Sequence, residues 1–156
     1  SIGAFVSADE EMWDNEKKHL AATSKMLDVY KVRPSALVPL WSIAGRVLGG
    51  ATALLGPKSA MACTEAVETA IGEHYDDQLA QLEQIRAKLL EKGRDTEKID
   101  AAVDLLRGVL TEFRDDELEH LDTAVEHDAQ QAPAHALLSA IVAGGCKGAI
   151  EVAKRI

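Results

Sequence analysis

FRDDELEHLD, residues 113–122, sets Glu117 and His120 three apart in a run that reads as helix. The same pair recurs near the start of the chain, where MWDNEKKHL (residues 12–20) carries Glu16 and His19. Residues three apart on an α-helix share a face, so each pair aims a carboxylate and an imidazole at one spot. Two Glu-x-x-His helices, joined by a glutamate from each of two others, build the dinuclear metal site of carboxylate-bridged four-helix bundles. A solvated acidic face with a surface histidine is the commoner meaning of any single such pair. Here Leu20, Phe113 and Leu121 put apolar bulk beside the pairs.

Composition bounds the answer. With 156 residues and 47% apolar content, the chain is expected to form one domain with a sizeable core. Only 4% of residues are aromatic, so that core must be mostly Leu, Ala, Val and Ile. Such a composition favours helix over sheet. The net charge of −9 excludes nucleic acid as a partner, because phosphate binding needs a basic face. Contact with an anionic membrane would have to rest on apolar surface. Cys63 and Cys146 have no metal-type spacing and read as buried free thiols in a reducing compartment. No signal peptide is visible, and the chain begins with Ser1, as a processed or trimmed chain would.

Taken in order, Ser7 is expected to cap a helix reaching about Val32, with Met12, His19, Leu20, Thr23, Met26, Leu27 and Tyr30 as its inner stripe. Arg33-Pro34 ends it. Residues 36–56 are the most apolar run, but Arg46 at its centre and Pro39, Gly45, Gly49 and Gly50 argue against a membrane span. A buried crossover helix and one lying in a membrane interface both fit. Ser59 opens a helix over 59–92 with Cys63, Val67, Ile71, Tyr75, Leu79, Leu82, Ile85 and Leu89 inward and a close contact at Gly72. Gly93 closes it. Asp95 or Thr96 caps the next helix, to about His127, on a spine of Ile99, Val103, Leu106, Leu110, Phe113 and Leu121. A loop over 129–134 leads to a last, mostly apolar helix over 135–156, whose Gly144, Gly145 and Gly148 permit close approach within the chain or to a partner.

The helix lengths test whether the pairs meet. A crossover of about 22 residues returns the chain by about 33 Å, so that two parallel helices can begin near residues 8 and 59. Glu16 and Glu68 then lie at matching depth. In the hairpin turning at Gly93, Glu68 is 25 residues before the turn, while Glu117 and His120 are 24 and 27 after it. Glu16, His19, Glu68, Glu117 and His120 therefore converge at one height as candidate metal ligands. Their donor set suits iron or manganese, and zinc less specifically. Asp116 is either an acceptor for the outer N–H of His19 or a surface acid. His74 and Tyr75, the latter on the face of Glu68, are either supporting or redox residues of the site or a rim histidine and a core tyrosine, while His127 and His135 read as loop and helix-end histidines.

These segments, with RPSALVPLW (33–41), LGGATALLGPKSAMACTEAVE (48–68), HYDDQL (74–79) and HDAQQAPAHALL (127–138), resemble the 5-demethoxyubiquinone hydroxylases, the di-iron monooxygenases of coenzyme Q biosynthesis. The resemblance runs from Met12 to Ile156. It implies an all-α, ferritin-like di-iron four-helix bundle with an apolar crossover helix and an extra C-terminal helix. It also implies two iron ions bound by Glu16, His19, Glu68, Glu117 and His120, with Glu16 and Glu117 bridging. His74 and Tyr75 match a pair implicated in delivering electrons from NADH. A polyprenyl quinone substrate, a lipid-binding coenzyme Q biosynthesis partner protein, and peripheral contact with the matrix side of the mitochondrial inner membrane, or with a bacterial inner membrane, follow on the same ground. The family's first helix, with its Asp-His-Ala-Gly-Glu motif and sixth ligand, has no counterpart here, so the chain is expected to be N-terminally truncated relative to the family. Two other functions share the ligand pattern: an iron-oxidising or iron-storing ferritin-like bundle, and a non-catalytic membrane-associated scaffold.

Overall fold

A computed structural model describes residues 2–155, with side chains from Ser7 onward. Its elements are α1 (Ile2–Val29), α2 (Val38–Leu54), α3 (Pro57–Glu91), α4 (Thr96–Glu126), a 3-10 turn (Ala129–Gln131) and α5 (His135–Ala153). There is no strand among the described residues, and the all-α expectation holds. The centre of the arrangement is α3, which packs on α4 as an antiparallel hairpin and also takes α2 and α5, while α1 lies against α4.

Local chemistry explains the helix ends. Gly93 takes φ +68°, and the N–H groups of Gly93 and Arg94 close back on the carbonyls of Leu90 and Leu89, which satisfies the last turn of α3. Asp95 caps α4 by accepting the backbone N–H of Lys98 at 3.4 Å. Three ion pairs cross the hairpin: Arg86 with Asp100, Arg107 with Glu83, and Arg114 with Asp76. Exposed pairs of this kind add little stability, but they are spaced along both helices and match only one register.

The core is built from small side chains. Met12, Met61, Ala62, Ala124, Ala129 and Ala132 join α1, α3, α4 and the 3-10 turn. Cys63, Ala66 and Val142 join α3 to α5, with Leu48 of α2 and Cys146 against them. Leu82, Ile99 and Val103 fill the hairpin near its turn. Both cysteines are free thiols; Cys63 is buried and Cys146 is half-buried.

Several local expectations fail, each for a physical reason. Ser7 caps nothing, because α1 continues back through it to Ile2. At the other end α1 stops at Val29, before Val32, because Lys31 enters the left-handed region at φ +55° and the N–H of Val32 returns to Leu27. Pro57, preorganised for a first helical turn, starts α3 two residues before Ser59. Pro39 sits in the first turn of α2 and does not break it. That helix has 17 residues, about 26 Å, shorter than the expected crossover. It is not buried within the chain: Thr52 is its one buried residue, and Leu54 is 91% exposed. Leu20 and Ile85, assigned to inner stripes, are 68% and 51% exposed. Gly72 makes no close contact, since a Cβ there would meet nothing within 4 Å, and the same is true of Gly144, Gly145 and Gly148. Helix α5 ends at Ala153; Ile156 and Ser1 lie outside the described residues.

Two glycine substitutions separate conformational need from accident. Gly93→Ala forces a Cβ into a left-handed turn and should cost about 1–2 kcal/mol in urea unfolding. Gly72→Ala meets open space inside a helix and should gain up to about 1 kcal/mol in the same measurement.

Candidate metal centre

Glu16 and His19 come from α1, Glu68 from α3, and Glu117 and His120 from α4. Oxygens of Glu16, Glu68 and Glu117 and a nitrogen of His120 all lie within 4.8 Å of one another. His19 joins them from the side, with Nδ1 3.5 Å from Glu117 Oε1 and 3.8 Å from Glu16 Oε1. His120 Nδ1 is 3.6 Å from both Glu16 Oε1 and Glu117 Oε2. The carboxylates of Glu16 and Glu117 therefore stand between the two imidazoles. His19, Glu117 and His120 are buried, while the Glu16 side chain remains 45% exposed.

Burial and mutual repulsion act on the charges of this cluster. Burial pushes the Glu68 carboxyl far above the usual carboxylate range, and the neighbouring Glu117 and Glu16 carboxylates add to the shift. Burial acts upward on Glu117, but the adjoining His120, Glu68 and His19 side chains outweigh it and hold that carboxyl low. Glu16 is raised by burial and by the Glu117 charge. Burial pulls His120 down, yet Glu117, Glu16 and Asp116 outweigh it and raise that imidazole. The buried Glu117 Oε2, His19 Nδ1 and His120 Nδ1 have no hydrogen-bond partner. An unpartnered buried polar atom costs about 1–3 kcal/mol, and three of them beside a group of converging carboxylates fit metal ligation. Carboxylate and imidazole donors of this kind suit iron or manganese.

Asp116 accepts from His19 Nε2 at 2.8 Å, across the bundle. Phe113 is buried beside them, its ring centroid 4.1 Å from that of His19 and 6.0 Å from that of Tyr75. Tyr75 lines a cavity of about 680 Å³ together with Glu16, Glu68, Glu117, Val67 and Leu48. Its phenol is raised by burial first and then by the three carboxylates. His74 points elsewhere, into a groove between α3 and α5 with Glu73, Asp77, Lys147 and Glu151. Burial and the Lys154 charge lower its imidazole. Adjacent in sequence, the two residues serve different spaces.

Some of the site went unread in the sequence. Asn15 Nδ2 lies 3.4 Å from His120 Nε2, at the same offset before Glu16 that Asp116 holds before Glu117. That repeated offset was the available signal. His135, expected to be an ordinary helix-end residue, pairs with Glu65 at 2.5 Å and ties α5 to α3. His127 only closes the end of α4, through Nδ1 on the Thr123 carbonyl.

The model of the ubiquinone biosynthesis protein COQ7 family matches residues 5–153. The chain belongs to that family. It is 45% identical over 155 residues to the mouse NADPH-dependent 3-demethoxyubiquinone 3-hydroxylase, mitochondrial, covering 99% of this chain and 64% of that protein. The 5-demethoxyubiquinone hydroxylase, mitochondrial, of Saccharomyces cerevisiae is 40% identical over 147 residues, 94% of this chain and 62% of its own length. The 3-demethoxyubiquinol 3-hydroxylase of the bacterium Rhodospirillum rubrum is 40% identical over 153 residues, 98% of this chain and 64% of its own. The chain thus spans somewhat under two thirds of the length of these COQ7 relatives.

The Glu68 proton gives this centre a pH dependence. Folded metal-free protein keeps that proton at pH values where the unfolded chain has released it. Its contribution to stability is therefore fully present below the ordinary glutamate pKa and is lost as pH rises above it. Metal-free Glu68→Gln should show a flatter fall in urea midpoint between about pH 5 and 9.

Proposed function

We propose that this protein hydroxylates the ring of a demethoxyubiquinone, using O₂ and two iron ions held by Glu16, His19, Glu68, Glu117 and His120. The observation that carries the reading is the pair of glutamates standing between two imidazoles beside a cavity, in a chain of the COQ7 family. Carboxylate-bound iron, when present, supplies the electrons and the oxygen activation that no side chain offers.

The protein's own groups do the rest. Glu16 and Glu117, each facing both imidazoles, would hold both ions. Glu68 would lose its proton on binding a cation, which would offset part of the positive charge the cation brings. Phe113 and Met12, both buried, keep water from the far side. Leu48, Val67, Ile71 and the bare backbone at Gly45 and Gly49 form a flat apolar wall for the quinone ring. Tyr75 keeps its phenol proton at the inner end of that wall and is placed to take part in electron delivery. His74, in its separate groove, offers an outer station on the same route.

The substrate's polyprenyl tail leaves along α2, where Ile43, Val47 and Leu54 are exposed. Helix α5 is long and apolar enough by length and composition to cross a membrane, and Leu137 and Ile141 on it are exposed. We read these faces as peripheral contacts with an inner membrane, mitochondrial or bacterial, and with a lipid-binding biosynthesis partner. The reductant is a reduced nicotinamide; the resemblance implied NADH, whereas the mouse relative is named NADPH-dependent. A bundle that only stores iron has no use for an apolar wall beside its metal.

Full-length protein incubated with demethoxyubiquinone, reduced nicotinamide and O₂ should yield hydroxylated quinone. Iron bound without product would turn the reading to storage, and no iron at all to a scaffold. Glu117→Ala should lower turnover at least about 100-fold with helix content by circular dichroism nearly unchanged; retained turnover would sink the assignment of this residue.

A further inference from the structure

The two histidines are braced through the same sequence offset but by different chemistry. Asp116, just before Glu117 on α4, stands 2.8 Å from Nε2 of His19 on α1. Asn15, just before Glu16 on α1, sets Nδ2 3.4 Å from Nε2 of His120 on α4. Lys18 Nζ donates to Asn15 Oδ1 at 3.1 Å, which leaves the amide NH₂ to face the ring.

These contacts fix opposite tautomers. A carboxylate only accepts, so His19 carries its proton on Nε2 and turns a bare Nδ1 lone pair toward Glu117 and Glu16. An amide NH₂ only donates, so His120 accepts at Nε2 and keeps its proton on Nδ1, the nitrogen 3.6 Å from both glutamates. One imidazole is already in the form that a metal ligand needs, and the other is not.

We propose that the two metal positions are inequivalent: the His19 half fills first and holds its ion more tightly, while Asn15 and Lys18 hold the His120 half back. The proposal rests on the reading of the two pairs as a dinuclear centre. For the second ion to bind, Nδ1 of His120 releases its proton and Nε2 takes one up, with no net change in ring protonation. The Asn15 amide turns its oxygen to the new N–H, Lys18 lets that oxygen go, and Nδ1 gives its lone pair to the metal. A hydrogen-bond partner behind a ligand histidine typically changes metal affinity by about 10- to 100-fold, and a gap of that size is expected between the two steps.

Anaerobic calorimetric titration of metal-free, full-length protein with ferrous iron alone tests this, with bound iron counted after desalting. Wild type should show two steps about 10- to 100-fold apart. Asn15→Asp, which supplies an acceptor, and Lys18→Met, which frees the amide oxygen, should each tighten the weaker step and leave the stronger in place. Asp116→Asn should weaken the stronger step by a similar factor. Two equal steps in wild type, or a weaker step unmoved in both Asn15→Asp and Lys18→Met, would overturn the inequivalence while leaving the dinuclear reading intact. Wild type that binds no iron would overturn the dinuclear reading itself. Lys18 is an exposed side chain, so the Lys18→Met arm stands even if Asn15→Asp fails to fold.

Discussion

Three carboxylates, Glu16, Glu68 and Glu117, share one small and largely buried volume, and the rest of the molecule is arranged around holding that charge in place. Charges this close repel strongly once water is thinned out. The fold meets the repulsion in three ways: it keeps a proton on Glu68, it turns both histidines inward, and it brings the ligands on long helices braced well away from the site. Helix α3 bears most of the load, since α2, α4 and α5 all pack on it. Rigid helices hold ligand atoms more closely than loops could.

Much of this was legible in the sequence, because the relevant spacings are helical and long. Glu-x-x-His fixes a face, and counting outward from Gly93 fixes a height, so the convergence of Glu68 with Glu117 and His120 needs no tertiary information. Asp116 had two readings in the sequence, and its 2.8 Å contact with His19 decides between them. What failed was local or relational. Ser7 and Ser59 have side chains fit to cap, but a helix start also depends on what precedes it, and Pro57 or an unbroken run overrides them. Leu20, Ile85 and most of α2 are apolar and exposed, and periodicity identifies an apolar face without naming what covers it. Asn15 was overlooked because an amide is not a ligand type; its part emerges only when its distance to His120 is known.

The apolar surface is distributed in a way that bears on function. The cavity beside the carboxylates has α2 as one wall, and the same helix carries Ile43, Val47 and Leu54 outward. One short element thus faces the carboxylate cavity on one side and the surroundings on the other.

The hairpin of α3 and α4 has a further consequence. Its turn lies about two dozen residues beyond the ligands on either arm, and the span between is held by its own small core of Leu82, Ile99 and Val103. The arms therefore behave like the two scales of a vernier. Lengthening or shortening both by matched turns moves only the tip, whereas a change in one arm alone slides Glu68 past Glu117 and rotates it off the common face. Such a protein tolerates paired insertions at its far end and no unpaired one.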